Sequence, residues 1–151
     1  MKIPLTIGKL FPKEERFHPL AFVVIKPRKY PNIRMLANAL VDTGSYVSSI
    51  APRDIMKTRI PYKALHPATP RYTRIGGFVL PAFDLGDATL FFRNEAGERV
   101  PIEAPMMKVL GIPPVREGIE HIPTILGTDF LEDNGFALFF NPSKREAYLE
   151  R

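Results

Sequence analysis

The chain has 151 residues, a length that suits one domain able to bury roughly 70% of its unfolded surface. It contains no cysteine, which excludes a disulfide framework, a thiol nucleophile and a Cys-ligated zinc. Its 21 basic and 16 acidic residues give a net charge of +5, and its 16 prolines argue against long helices.

No segment of the sequence has the character of a membrane anchor or a secretion signal. The apolar stretch at residues 3–7 is too short for a signal-peptide core. No apolar run approaches the roughly 20 residues that cross a bilayer. We therefore expect a cytoplasmic protein without membrane contact.

The first third of the chain predicts strands separated by polar connections. An edge strand is expected over Lys2–Ile7 and a loop over Leu10–His18. The branched apolar run Leu20–Ile25 predicts a buried strand, and Ile33–Val41 predicts the next one after a basic turn. A tight turn leaves that second strand at residues 42–45.

The middle of the chain predicts one helical turn at Pro52–Lys57, an irregular connection at Ile60–Pro70 and two hairpins. The strands of these hairpins are Tyr72–Ile75 with Phe78–Leu80, and Ala88–Arg93 with Arg99–Glu103.

The last third predicts a loop, one helix and a closing hairpin. The loop covers Val109–Ile122, and the helix runs from Asp129 to Gly135. Phe136–Phe140 and Glu146–Leu149 form the hairpin. The fold class expected is mostly β, consistent with a small closed barrel that carries one short C-terminal helix.

The densest basic stretch comprises Lys26, Arg28, Lys29 and Arg34. It is interpreted as a solvated hairpin loop, as a contact for a polyanion, or as a contact for an acidic substrate or partner. Prolines interrupt it and Tyr30 is its only aromatic residue, so a nucleic-acid partner is not expected. The three histidines show no metal-ligand spacing, so neither a metal nor a cofactor is predicted.

The candidate catalytic residue is Asp42, within Asp42-Thr43-Gly44-Ser45 at the end of an apolar run. Peptide hydrolysis can be performed by two carboxylates about 3 Å apart, because so close a pair holds one proton and supplies both an acid and a base. This chain has one such segment, so the second carboxylate would come from a second copy. Alone, the segment is also ordinary turn chemistry.

Two further segments add to this one: Ile75-Gly76-Gly77, and Ile125–Leu131, which reads Ile-Leu-Gly-Thr-Asp-Phe-Leu. In order and spacing, the three resemble the retropepsin-like aspartic proteases, the single-domain cellular and prokaryotic relatives of retroviral proteases. The resemblance covers residues 20–149. It implies an acid-protease barrel at 20–151, preceded by an extension or edge strand at 1–19, that forms half of a two-fold symmetric dimer.

Carried over by position, the resemblance gives each residue of the first segment a role. Asp42 would pair with its twin across the two-fold axis, and Thr43 would hydrogen-bond across that axis. Gly44 would bind substrate backbone through its carbonyl group. Ser45 would hydrogen-bond the outer oxygen of Asp42.

Behind this turn, the resemblance places Leu126 and Gly127. Two interpretations of Asp129 stay open: it caps the helix, or it also holds the loop after the active site through Ser48 or Ser49. In neither is it the second catalytic acid.

The segment Ile75-Gly76-Gly77-Phe78 is either a simple turn or part of a flap that folds over substrate. As a flap, it would use Gly76 and Gly77 to bend, and Ile75 and Phe78 would form apolar subsite walls. The substrate would then be a polypeptide bound in extended form.

The expected function is a homodimeric aspartic endopeptidase, whose interface the C-terminal hairpin would help to build. The alternative is a non-catalytic module that binds peptides or proteins on the same fold. An Asp-x-Gly-Ser/Thr loop also occurs in the actin and sugar-kinase family, but that fold needs two large α/β domains, more than 151 residues provide.

Overall fold

The computed structural model describes residues 1–151 and shows a mostly β protein with two short helices. The helices are α1 (Pro52–Thr58) and α2 (Thr128–Asn134). The strands are β1 (Lys2–Pro4), β2 (Thr6–Gly8), β3 (His18–Pro27), β4 (Met35–Val41), β5 (Ser49–Ile50), β6 (Pro67–Ile75), β7 (Phe78–Arg93), β8 (Arg99–Leu110), β9 (Ile125–Leu126), β10 (Ala137–Asn141) and β11 (Glu146–Glu150).

Eight strands form the larger sheet, in the order β2-β3-β4-β9-β5-β8-β7-β6. Strand β3 also pairs with β7, so the sheet curls back onto itself. A cluster of 25 buried residues fills the space that it encloses, with Phe92 and Phe130 among the largest side chains. No helix has the length and hydropathy to span a membrane.

The smaller sheet has the order β1-β11-β10, all antiparallel. It joins the two ends of the chain, because the amino group of Met1 donates to the carbonyl oxygen of Arg151 at 2.7 Å. Strand β10 forms one edge of this sheet.

The fold class expected one helix, and the helical turn predicted at Pro52–Lys57 is in fact a second one, α1, at Pro52–Thr58. It begins at Pro52, where a missing N–H group is harmless, and its end is closed by Arg59 in the left-handed conformation. Ile55 is buried in the main core, and this burial stabilises a segment that is too short to form a helix by itself.

Some strands differ in extent from their predictions. Residues 2–7 form two strands rather than one, because β1 pairs with β11 whereas β2 pairs with β3. The predicted irregular connection ends early, at Pro67, where β6 begins.

Strand β7 is continuous where two separate strands were expected. Bulges on both sides of Gly86, which has a φ of +80°, let it bend without ending.

Candidate active site

Asp42 directly follows β4, a strand at the centre of the larger sheet. Along β4, Met35, Ala37, Ala39 and Val41 are buried, with exposed or half-buried residues between them. This alternation matches the period of a strand with one face in the core. Strand β9 lies parallel to β4, so the half-buried Asp42 emerges at the carboxyl end of both strands.

The turn itself holds the carboxylate of Asp42. The N–H group of Gly44 donates to Oδ1 at 2.8 Å, and the N–H group of Asp42 donates to the carbonyl oxygen of Leu126 at 3.0 Å. A Cβ atom at Gly44 would lie 3.1 Å from Oδ1, so glycine allows this close approach. One carboxylate oxygen is thus fixed by a charge-assisted hydrogen bond.

The predicted hydrogen bond from Ser45 to Asp42 is wrong. The hydroxyl group of Ser45 donates instead to the carbonyl oxygen of Val47 at 2.9 Å. A serine hydroxyl readily bonds backbone acceptors two residues away, and this local partner orients it along the loop. Thr43 is exposed, and its predicted contact across a two-fold axis stays a prediction.

Leu126 and Gly127 lie immediately behind the turn. Leu126 is fully buried. A Cβ atom at Gly127 would lie 2.6 Å from the carbonyl oxygen of Ser45 and 3.1 Å from the backbone of Val47. Only glycine therefore lets the 45–47 backbone pass this close to β9.

The carboxylate of Asp129 ties α2 to the loop after the active site. Its Oδ2 accepts the N–H group of Ser48 at 2.9 Å, and its Oδ1 accepts the hydroxyl group of Ser48 at 2.7 Å. The Ser48 hydroxyl oxygen in turn accepts the N–H group of Gly127 at 2.9 Å. Two segments about eighty residues apart in sequence are joined by this largely buried network.

The predicted helix-cap position of Asp129 is wrong by two residues. Helix α2 begins at Thr128, so the cap position falls on Gly127, which has no side chain to cap it. Asp129 lies within the first turn, where its Oδ1 also accepts the N–H group of Phe130 at 2.7 Å. That contact satisfies one of the free donors at the helix start.

Gly76 and Gly77 form the tip of the β6–β7 hairpin. Their φ values are +55° and +85°, the left-handed conformation that a two-residue hairpin turn needs at both positions. Ile75 and Phe78 pair across the turn. Ile75 lines the groove described next, whereas the ring of Phe78 packs beside Gly118, so the predicted subsite role of Phe78 is not supported.

A groove of about 370 Å³ lies between the Asp42 turn and the β6–β7 hairpin. Asp42, Gly44 and Ser45 line it on one side, and Thr73, Arg74 and Ile75 line it on the other. Its apolar lining residues include Val47, Ala68, Ala82, Leu110 and Ile125. The dimensions and lining fit an extended chain with small to medium apolar side chains.

Lys108 and Arg74 line this groove but were missed in the sequence. Lys108 lies in β8 beside Ser49 of β5, and its side chain is 19% exposed. Its ammonium group forms an ion pair with Asp84 on the neighbouring strand β7. Strand β8 was expected to end at Glu103 but continues to Leu110, and its alternation of buried and exposed residues is interrupted at Pro105 and Met106, which are both exposed.

Comparisons with known proteins give limited information. No protein-family model matches the chain, and neither does any curated protein sequence. Among solved structures, the chain is similar to a retropepsin-like aspartic protease from Rickettsia conorii, with 14% identity over 99% of this chain and 87% of that one, at a TM-score of 0.48. A similarity at this level carries no functional assignment.

Proposed function

We propose that the chain is an aspartic endopeptidase that acts as a homodimer, with Asp42 of each protomer as a catalytic acid. One observation carries the proposal. A half-buried carboxylate stands at the end of a central strand, is oriented by the N–H group of Gly44, and opens onto a groove.

The chemistry requires both copies of Asp42. The ionised carboxylate takes a proton from a water molecule as the water oxygen attacks the peptide carbonyl carbon. The protonated carboxyl group gives its proton to the carbonyl oxygen, which forms a tetrahedral diol. A proton then moves to the amide nitrogen, the C–N bond breaks, and a carboxylic acid and an amine leave.

The surroundings of Asp42 suit this role because they fix the turn rigidly. The backbone of Leu126 holds one side of the turn, and the Asp129–Ser48 network holds the loop that follows. Reacting groups must be positioned to within a fraction of an ångström, and buried hydrogen-bond networks provide such positioning. Thr43 would lock the two turns together across the axis.

The dimer interface proposed is the free edge of β10. Phe139 and Phe140 are 38% and 36% exposed on this edge, and the ring of Phe139 stacks on Tyr148 of β11 at 4.8 Å. Pairing of β10 with its copy would satisfy its free backbone groups and extend the sheet through a two-fold axis. Each protomer would contribute to that assembly the larger sheet, in which β7 returns to pair with β3.

The substrate proposed is a polypeptide in extended form, held between the Asp42 turn and the β6–β7 hairpin. Strand β6 ends the larger sheet, so one side of its backbone is available to pair with a peptide main chain. The two glycines at the tip give this hairpin the freedom of a flap.

The decisive experiment compares Asp42→Asn with the wild type for cleavage of a peptide library and for mass in solution. Asparagine keeps the size of the side chain but cannot share a proton as a carboxyl group does, so we expect cleavage to fall about a thousandfold while the dimer persists. Asp133→Asn is the matched control, since Asp133 is exposed and far along α2.

Cleavage by Asp42→Asn at the wild-type rate would reject the catalytic assignment. A wild-type dimer that binds peptides without cleaving them would favour the peptide-binding module that the sequence left as the alternative.

A further inference from the structure

The positive charge of the chain is concentrated in one segment. Residues 55–83 contain no Asp or Glu. The same segment carries five basic residues, which equal the whole net charge of +5: Lys57, Arg59, Lys63, Arg71 and Arg74. Outside it, acidic and basic residues balance. So uneven a distribution points to a partner of opposite charge.

The fold places this segment against the candidate active site. It leads from α1 through β6 into the β6–β7 hairpin, and so forms one whole wall of the groove. Arg71 and Arg74 lie on β6 and are exposed. Neither has a carboxylate within 4.0 Å, whereas Lys57 is paired with Asp54. Both guanidinium groups are therefore free to bind a ligand: Arg74 lines the groove, and Arg71 lies three residues before it on the same strand.

The groove itself contains one cation that has no carboxylate partner. Its lining contains two cations, Arg74 and Lys108, and one acid, Asp42. Lys108 is already neutralised by Asp84, which leaves Arg74 as the unpaired cation that faces the groove space. A carboxylate in a bound ligand would find a bidentate donor there.

We propose that the groove selects extended polypeptides rich in Asp and Glu, with Arg74 as a specificity-determining residue and Arg71 as a second contact. The inference rests on the proposed function, which places the scissile bond of the bound peptide at Asp42. The acidic residues flank the scissile bond at a distance from it, because a carboxylate beside the two Asp42 side chains would meet like charge.

The backbone edge and the apolar lining of the groove suit a peptide better than a nucleic acid. The free edge of β6 offers backbone donors and acceptors in the pattern of an extended main chain. The floor formed by Ala68, Ala82, Leu110 and Ile125 suits apolar side chains rather than phosphodiesters. Charge and shape together therefore indicate an acidic peptide with apolar residues near its centre.

The test measures binding in the Asp42→Asn background, where cleavage is expected to be absent. Two fluorescein-labelled dodecapeptides share an apolar central pair and differ only in four flanking Glu or four flanking Gln residues. By fluorescence anisotropy at low salt, we expect the Glu peptide to bind about tenfold more tightly, and the preference to shrink at high salt.

The double variant Arg71→Glu/Arg74→Glu should remove or invert this preference. Lys29→Glu/Arg34→Glu is the matched control, since it makes the same change of charge at two exposed residues that do not line the groove. Circular dichroism checks that both variants fold. Equal affinity for the two peptides, or an equal loss in the control variant, would overturn the proposal.

A single-stranded oligonucleotide with the same charge as the Glu peptide is added as a competitor. It tests whether the groove binds nucleic acid rather than acidic peptides. Tighter binding of the oligonucleotide, lost in the Arg71/Arg74 variant, would overturn the proposal in favour of a nucleic acid. Charge-selective binding without cleavage by the wild type would support this inference and reject the proposed hydrolysis. Cleavage of both peptides at equal rates would do the reverse.

Discussion

Asp42 owes its orientation to groups that lie far from it in sequence. The Gly44 amide is local, but the carbonyl oxygen of Leu126 and the space left by Gly127 belong to a segment about eighty residues away. Ser48 links that segment to the loop after the active site. A single hydroxyl group therefore joins the loop after Asp42 to β9 and α2.

Ser48→Ala should destabilise the protein by about 1–3 kcal/mol. The substitution leaves the buried N–H group of Gly127 without its partner and removes one donor from Asp129. Chemical denaturation measures the loss. Ser143→Ala removes an exposed hydroxyl group that bonds Asn141, and should change the free energy of unfolding by only a few tenths of that amount.

Peptidase activity should fall in Ser48→Ala beyond the loss of folded protein, because the loop that follows Asp42 loses its anchor. A Ser48→Ala variant as stable and as active as the wild type would show that the Ser48 hydroxyl group is not needed to anchor the loop after Asp42.

Among the elements, the connection at residues 9–17 is organised around one carboxylate. Glu14 accepts the N–H group of Leu10 at 2.8 Å and a hydrogen bond from His18 at the start of β3. Burial raises the pKa of Glu14, but the hydrogen bonds from His18 and Leu10 and the positive charges of His18 and Lys9 outweigh it. The pKa of Glu14 therefore lies below its ordinary value of 4.5.

This lowered pKa predicts a loss of stability in acid. Because the folded-state pKa is below the unfolded one, the contribution of Glu14 is present above pH 4.5 and is lost as pH falls through the folded-state pKa. The stability advantage of wild type over Glu14→Gln should thus disappear in acid, as measured by denaturation between neutral and low pH.

Glu15→Gln is the control for this experiment, since Glu15 is exposed and its neighbour in sequence. A stability difference between wild type and Glu14→Gln that stayed constant across the titration would contradict the assignment to Glu14.

For the whole molecule, the proposed function depends on the free edge of β10. One protomer supplies one Asp42, so the proposed two-carboxylate site requires association. The two chain ends already pair with each other inside the protomer, through Met1 and Arg151. The smaller sheet has two outer strands, β1 and β10, and β10 is the one that carries the exposed Phe139 and Phe140.

Phe139→Lys/Phe140→Lys should shift the protein from dimer to monomer and weaken association at least about tenfold, because charged residues on an edge strand oppose strand pairing. Sedimentation measures the mass, and peptide cleavage should fall in parallel. Phe22→Lys/Leu36→Lys makes the same change on β3 and β4, at residues 63% and 57% exposed, and should leave the mass unchanged. A fully dimeric Phe139/Phe140 variant would exclude this edge as the interface.

Local patterns in the sequence determined the strands that carry the site, the turn at Asp42 and the glycines of the hairpin. Strand β4 lies within the predicted strand Ile33–Val41, and two adjacent glycines meet the demand of a tight hairpin turn without help from the rest of the chain. The charge of the segment at 55–83 is also visible in the sequence, since it depends on composition alone.

Only the tertiary structure decided what these elements contact. It turned the Ser45 hydroxyl group toward Val47, joined Asp129 to Ser48, set Lys108 in the groove and kept β7 continuous through Gly86. Each of these outcomes depends on strand register or on a contact between residues distant in the chain. Local propensity does not specify such contacts, because they are fixed when the sheet closes around its core.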